Sequence, residues 1–263
     1  MEDKYLNNIY YRKSKISKRR KTIVLLHGIC SSSSAWKNYE ILLSKKYNLI
    51  IPDIRGCGKS IRPRKTIEYS IDKLAEDIRY ILKEEGVKKA NFVGSSSGNH
   101  LIFELAKKRP SIISKIIFIN ANYKPSLQAN MRFYRAISYF WRFFQFIPGK
   151  KFGKNIDYTC HNQERETDFF RVSADFFNTG LKSLGNTTWH YTSYDATKIL
   201  NKIKLPCLIV NGKNDGLTYS SSSEFMHGRI KKSRILHMPD ANHMIVLTHR
   251  KEIIKIIEDF IRS

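Results

Sequence analysis

Acidic side chains are scarce in this chain of 263 residues: 23 Asp and Glu stand against 47 Lys and Arg, a formal net charge of +24. Cysteine is scarcer still, with Cys30, Cys57, Cys160 and Cys207 far apart and no C-x-x-C pair. That spacing excludes both a metal-ligand set and a disulfide framework, so no metal is expected, and a reducing cytoplasm is the expected setting. No run reaches the ~18 apolar residues that a membrane span requires. The opening MEDKYLNNIYYRKSK has no apolar stretch followed by a small-residue cleavage site, so no secretory leader is expected. A phosphate loop is missing too, because no lysine follows a glycine at the G-x-x-x-x-G-K-[ST] spacing.

The shortage of acids leaves an excess of positive charge, which suits nucleic acid or an acidic membrane surface. Lys, Ile and Asn are frequent along the whole chain, however, so the excess reads as compositional and no nucleic-acid partner is expected. The densest basic run, Arg12 to Lys21 (RKSKISKRRK), lies between two apolar stretches and reads as a solvated hairpin turn.

What the chain does have is a regular alternation. Short continuous apolar runs at Thr22–Leu26 (TIVLL), Asn48–Ile51 (NLII), Ala90–Val93 (ANFV), Ile116–Ile119 (IIFI) and Cys207–Val210 (CLIV) suit strands buried on both faces of a parallel sheet. Ser233–Met238 (SRILHM) is a weaker sixth run, and Asn8–Arg12 (NIYYR) fits an edge strand. Helical patterns lie between them. Ser70–Glu85 carries a stripe of Ile71, Leu74, Ile78, Ile81 and Leu82 stopped by Gly86, Ser97–Lys108 follows a serine triplet, and Arg250–Ile261 closes the chain. Strand and helix in this rhythm predict an α/β fold with a mostly parallel central sheet flanked by helices.

The rhythm breaks once. Residues 122–200 hold more than half of the aromatic side chains, so the chain divides into a core of 1–121 and 201–263 with an insertion at 122–200. Met131–Ile147 (MRFYRAISYFWRFFQFI) places Phe133, Ile137, Phe140, Trp141 and Phe144 on one helical face and Arg132, Arg135 and Arg142 toward the other. Such a helix either covers a pocket with its aromatic face or lies weakly on a membrane surface. A second aromatic helix is expected around Arg165–Asn178.

The serine triplet sits in Gly94-Ser95-Ser96-Ser97-Gly98, after one strand and before one helix. A sharp strand-to-helix turn strains its apex residue, lifts that side chain clear of the sheet and requires small neighbours two residues away on each side. Only Ser96 is two residues from both glycines, which makes it the candidate nucleophile. A serine hydroxyl is a weak nucleophile until a base takes its proton, and the base needs an acid to orient it. Asp215, in NGKND after the CLIV strand, and His243, in DANH after the last strand, stand at the required strand ends in the required order. Asn120-Ala121-Asn122, after the IIFI strand, offers no carboxylate, and Asp240 fits a turn cap. His27, His100 and His237 read as structural, and His161 and His190 fall in the insertion. Acyl transfer also needs donors for the oxyanion. The Ser97 amide is one, at a helix N-terminus, and the Ile29 amide is the other, with Gly28 letting the chain turn toward the pocket.

Together, His27-Gly28 with Trp36 downstream, Asp53–Ser60 (DIRGCGKS), the GSSSG turn, GKND and Asn242-His243 resemble the α/β-hydrolase superfamily, in particular its serine members with a helical cap over the site. The resemblance runs over roughly residues 8–261 and is poorest at 122–200. It implies that the insertion is the cap, that DIRGCGKS is a structural turn, and that no cofactor is required. Ser96 argues against the dehalogenases and epoxide hydrolases of that superfamily, which use an aspartate. Ser95 stands where many relatives have histidine and Asn99 where many have a small residue, which bears on the shape of the pocket floor. The expected activity is hydrolysis of a carboxylic ester or thioester whose small-molecule substrate is partly apolar, to suit the aromatic insertion. Two further readings use the same residues: a ligand receptor with slow turnover, and a carbon–carbon bond hydrolase or perhydrolase.

Overall fold

The computed structural model describes residues 1–125, 136, 138–140, 150–158 and 169–263. Eight strands form one sheet in the order β1-β2-β4-β3-β5-β6-β7-β8. They are β1 (Glu2–Leu6), β2 (Ile9–Lys13), β3 (Thr22–Leu26), β4 (Asn48–Pro52), β5 (Ala90–Ser95), β6 (Ile113–Ile119), β7 (Cys207–Gly212) and β8 (Ser233–Met238). From β4 across to β8 every neighbouring pair is parallel, and the β1–β2 and β2–β4 pairs are antiparallel.

The inner parallel strands β3 to β7 carry apolar runs because both faces of the sheet are covered there. Along β3, Ile23 and Leu25 pack on one side of the sheet and Val24 and Leu26 on the other. One side is filled by the helices Ile71–Glu84 and Gly98–Lys108, through Leu74, Ile78, Ile81, Leu101 and Phe103. The other is filled by Lys37–Leu43 and Arg250–Arg262, through Tyr39, Leu43, Ile253, Ile257 and Phe260. Each fully buried Leu or Ile contributes roughly 1.5–3 kcal/mol, which makes the predicted Leu74-Ile78-Ile81 stripe the main attachment of its helix.

The N-terminal region departs from the expectation. A hairpin does form, but within residues 2–13: Leu6 pairs with Ile9 across Asn7 and Asn8, whose φ angles of 49° and 64° suit a type I′ turn. The basic run at 12–21 is not a hairpin turn. β2 lies beside β4, so the run must cross β4 to reach β3, and Asn48 holds it there by donating to the carbonyls of Ser17 (2.8 Å) and Arg20 (3.0 Å). Part of the positive excess is used at the foot of the sheet. Lys21 and Lys115 donate to the Ile261 and Phe260 carbonyls at 2.7 and 2.8 Å, where the last helix carries its partial negative charge.

Between β6 and β7 the described residues form the helices Phe169–Thr179, Leu181–Tyr191 and Thr197–Leu200. The helix expected over Met131–Ile147 lies outside the described residues apart from 136 and 138–140, as do Cys160 and His161. No helix among the described residues is long and apolar enough to cross a membrane.

The chain runs from β3 to β4 on one side and then returns to β5 on the other side of β3. Such a reversal opens a crevice at the carboxyl ends of the strands, where ligands of open α/β sheets bind. The loops after β3, β5, β7 and β8 all emerge there, and they carry Ile29, Ser96, Asp215 and His243.

Candidate active site

Ser96 occupies the apex between β5 and the helix Gly98–Lys108 with φ 51°. This is the left-handed region, which a non-glycine residue enters only when its surroundings impose it. The Ser96 amide donates to the Ile119 carbonyl at 3.0 Å and the Asn99 amide to the Ser96 carbonyl at 3.1 Å. Close packing explains the glycines. A Cβ on Gly98 would stand 2.6 Å from the His27 carbonyl oxygen, and one on Gly94 would stand 2.8 Å from Ile102 Cδ1. Asn99 is fully buried and braces the turn from beneath, its Nδ2 donating to the carbonyls of Ser96 (2.8 Å) and Ile119 (2.9 Å). Ser95 is buried as the last residue of β5.

Three distant residues meet at this apex. His243 Nε2 lies 3.0 Å from Ser96 Oγ, and His243 Nδ1 lies 2.9 and 3.1 Å from the two oxygens of Asp215. The Asp215 side chain is completely buried and that of His243 is 14% exposed. A carboxylate only accepts, so the Asp215 contact places the imidazole proton on Nδ1 and leaves the Nε2 lone pair facing the serine hydroxyl. Asp215 also accepts from the amides of Leu217 (2.7 Å) and Thr218 (2.9 Å) and from the Thr218 hydroxyl. Burial alone would raise its pKa. The hydrogen bond from His243, the charge of that ring and the Thr218 donors outweigh burial and hold the carboxyl below its ordinary value.

Other acids and histidines named from the sequence have surroundings of their own. Asp240 is exposed. His27 donates from Nδ1 to the Gly28 carbonyl (2.7 Å) and accepts from the Ile54 amide at Nε2 (2.9 Å). His100 is buried, with Nδ1 3.1 Å from the Ser97 carbonyl and its ring edge-on to Tyr191 and Tyr194. Burial pushes both histidines down to about 4. His190 Nε2 contacts the Thr66 carbonyl at 2.9 Å. In DIRGCGKS, Asp53 accepts from the amides of Ser33 (2.6 Å) and Lys59 (2.8 Å), as a structural turn requires.

The loop after β3 needs one correction. Gly28 does not supply the turn: the left-handed residue is Cys30, at φ 61°. Gly28 instead packs closely on the serine, since a Cβ there would lie 3.2 Å from Ser96 Cβ, a tight contact, and 3.7 Å from Ser96 Oγ. The Ile29 amide thus sits between a glycine packed on the serine and a residue that reverses the chain. The segment between β6 and β7 holds this loop. Thr179 Oγ1 donates to the Cys30 carbonyl (3.3 Å), and Ser31 Oγ meets the Tyr158 hydroxyl (3.0 Å), which donates to Asp175 (2.7 Å). Burial raises Asp175 to about 7. Ser97, at the start of its helix, presents an amide beside Ser96. Among the described residues, no group of three or more His, Cys, Asp and Glu is arranged to hold a metal ion.

Two residues with no chemical signature in the sequence also meet this site. Thr218 supplies two of the donors to Asp215. Asn120, noted above only for lacking a carboxylate, reaches the backbone of His243.

Comparison with known proteins bears on the family and the fold. A family model described as alpha/beta hydrolase fold matches residues 21–250. The uncharacterized hydrolase YugF of Bacillus subtilis is 24% identical over 262 residues, covering 97% of this chain and 94% of its own. A hydrolase from Pseudomonas aeruginosa superposes with a TM-score of 0.79 at 19% identity, over 100% of this chain and 98% of that one. The enol-lactonase of Burkholderia xenovorans does so with a TM-score of 0.76 at 18% identity, over 100% of both. At these identities the two structures speak to the fold.

Proposed function

Because the chain belongs to the α/β-hydrolase family, we propose that it is a serine hydrolase of carboxylic esters, thioesters included, working through an acyl-enzyme on Ser96. The reading is carried by one observation: Ser96 Oγ, His243 and Asp215 are linked in series at 3.0 and 2.9 Å. His243 Nε2 removes the hydroxyl proton as Oγ attacks the acyl carbon, then returns that proton to the leaving alcohol or thiol. Asp215 holds the ring in the Nδ1–H tautomer and stabilises the imidazolium. Water repeats the sequence to release the acid. The Ile29 and Ser97 amides stabilise the tetrahedral oxyanion, each at about 3 kcal/mol. Residues 122–200 act as the cap, and their aromatic content suits a substrate with an apolar portion. A lactone is an internal ester, so the likeness to an enol-lactonase keeps cyclic esters within the class.

Fluorophosphonate labelling tests the assignment. A single adduct on Ser96, lost in Ser96→Ala together with hydrolysis of p-nitrophenyl acetate, is the expected result. An adduct elsewhere, or hydrolysis surviving Ser96→Ala, would refute it. A series of acyl chain lengths and simple lactones then defines the substrate.

A further inference from the structure

Asn120 is the first residue after β6. It is fully buried and adopts φ 45°, a left-handed conformation that Asn tolerates better than most residues. Its amide donates to the Val210 carbonyl at 2.9 Å, carrying the β6–β7 ladder one step beyond the strand. Its side chain spans two loops. Oδ1 accepts from the Gly212 amide (3.0 Å), while Nδ2 donates to the carbonyls of Asn242 (3.0 Å) and His243 (3.1 Å).

Those partners are the roots of the acid and of the base. Gly212 opens the turn that carries Asp215, whose amide returns to the Gly212 carbonyl at 3.1 Å. Gly212 also packs against the histidine loop, since a Cβ there would stand 2.9 Å from the Asn242 oxygen. His243 itself lies in neither a helix nor a strand. Its ring must nevertheless meet Ser96 and Asp215 at the same time, so its backbone has to be held. One carboxamide supplies an acceptor to the first loop and two donor hydrogens to the second. An ionised carboxylate of the same shape would turn an oxygen toward two carbonyl oxygens.

We propose that Asn120 is a positioning residue for catalysis, which sets the reach of His243 to Ser96 and Asp215 by fastening the His243 backbone to the end of β7. The proposal rests on the serine-hydrolase reading above.

The test compares Asn120→Ala and Asn120→Asp with wild type, with Ser96→Ala as control. It measures Tm, the rate of fluorophosphonate labelling per folded molecule, and kcat and KM for p-nitrophenyl acetate from about pH 5 to 9. Asn120→Ala is expected to label on the order of 10²-fold more slowly, the effect of misplacing a reacting group by about 1 Å, and to lose kcat rather than KM. A merely structural role would lower Tm and leave the rate per folded molecule unchanged. Asn120→Asp can donate to a carbonyl only while protonated. Its activity relative to wild type should therefore fall as pH rises. Labelling of Asn120→Ala at the wild-type rate overturns the proposal, and so does an Asn120→Asp ratio that does not fall with pH. If Asn120→Ala does not fold, the near-isosteric Asn120→Asp carries the test alone. Hydrolysis surviving Ser96→Ala would refute the serine-hydrolase reading, whereas Ser96 dependence with unimpaired Asn120 variants refutes only this inference.

Discussion

Asp215→Asn separates the orienting role proposed for the acid from its structural one. Asp215 accepts from four donors: the Leu217 and Thr218 amides, the Thr218 hydroxyl and His243 Nδ1. Asparagine keeps one acceptor oxygen for the two amides, and the Thr218 hydroxyl can rotate to accept, so the turn should persist. Alanine would abandon both amides and confuse folding with chemistry. In Asp215→Asn the new NH2 faces Nδ1, which must now accept. The imidazole proton moves to Nε2, where it meets Ser96 Oγ and leaves no lone pair to take the serine proton. In the Ser-His-Asp template this exchange lowers kcat about 10⁴-fold, or roughly 5 kcal/mol of transition-state stabilisation. The same loss is expected here, with little change in KM for p-nitrophenyl acetate. Retention of more than about a tenth of the activity, with the variant folded, would show that Asp215 does not orient the base. The pH dependence of stability gives a second readout. Because the folded carboxyl is held below its ordinary value, its contribution is present above the unfolded pKa of about 3.9 and is lost as pH falls through the folded value. Asp215→Asn should lack that component of acid unfolding.

Two further perturbations probe the frame of the site. Gly98→Ala puts a methyl 2.6 and 2.8 Å from the His27 and Leu26 oxygens, backbone atoms at the end of a central strand that cannot give way. Overpacking of this kind costs about 1–3 kcal/mol, so calorimetry should show a lower Tm and labelling a slower reaction at Ser96; wild-type values for both would contradict the packing argument. His100 has a pKa lowered to about 4 by burial, so its neutral form stabilises the fold above the unfolded value of about 6.5, and this is lost as pH falls toward 4, up to about 3 kcal/mol. Urea titrations of His100→Gln should therefore show a smaller loss between those pH values than wild type, against an opposing background from Asp53, Glu40 and Asp175, which burial raises to about 6, 7 and 7; an equal loss would refute the assignment.

The parts of the fold visible in the sequence are those whose environment is uniform. β3 to β7 are covered on both faces, so each contains the apolar run expected of it, although β6 starts three residues earlier, at Ile113, through the polar Ser114 and Lys115. β8 is an edge strand with alternating exposure, which is why SRILHM looked weak. β1 is short, charged and mostly exposed, and carries no apolar signal at all. The helix Ser220–Arg229 offers only Phe225 and Met226 to the core side, too few to mark a stripe. The placement of β2 beside β4 is a non-local pairing, and the local pattern at Arg12–Lys21 is equally compatible with a tight turn.

The site divides along the same line. Ser96 was legible because the steric demands of a strand-to-helix apex fall on residues two positions away, within one short window. Asp215 and His243 were legible because chemistry and strand order together leave few carboxylates and imidazoles at the right strand ends. Gly28 shows where this stops. A glycine can serve through its φ or through its lack of a side chain, and only the second applies here, where the close neighbour is Ser96, which lies far along the chain. The left-handed residue is the unremarkable Cys30. Asn120 is the same case carried further. An asparagine after a strand has many routine uses, and its three side-chain partners, Gly212, Asn242 and His243, become its neighbours only when β6, β7 and the last loop are brought together. The candidate reacting groups are therefore marked by what they are, while the residues proposed to aim them are marked only by what the fold brings beside them.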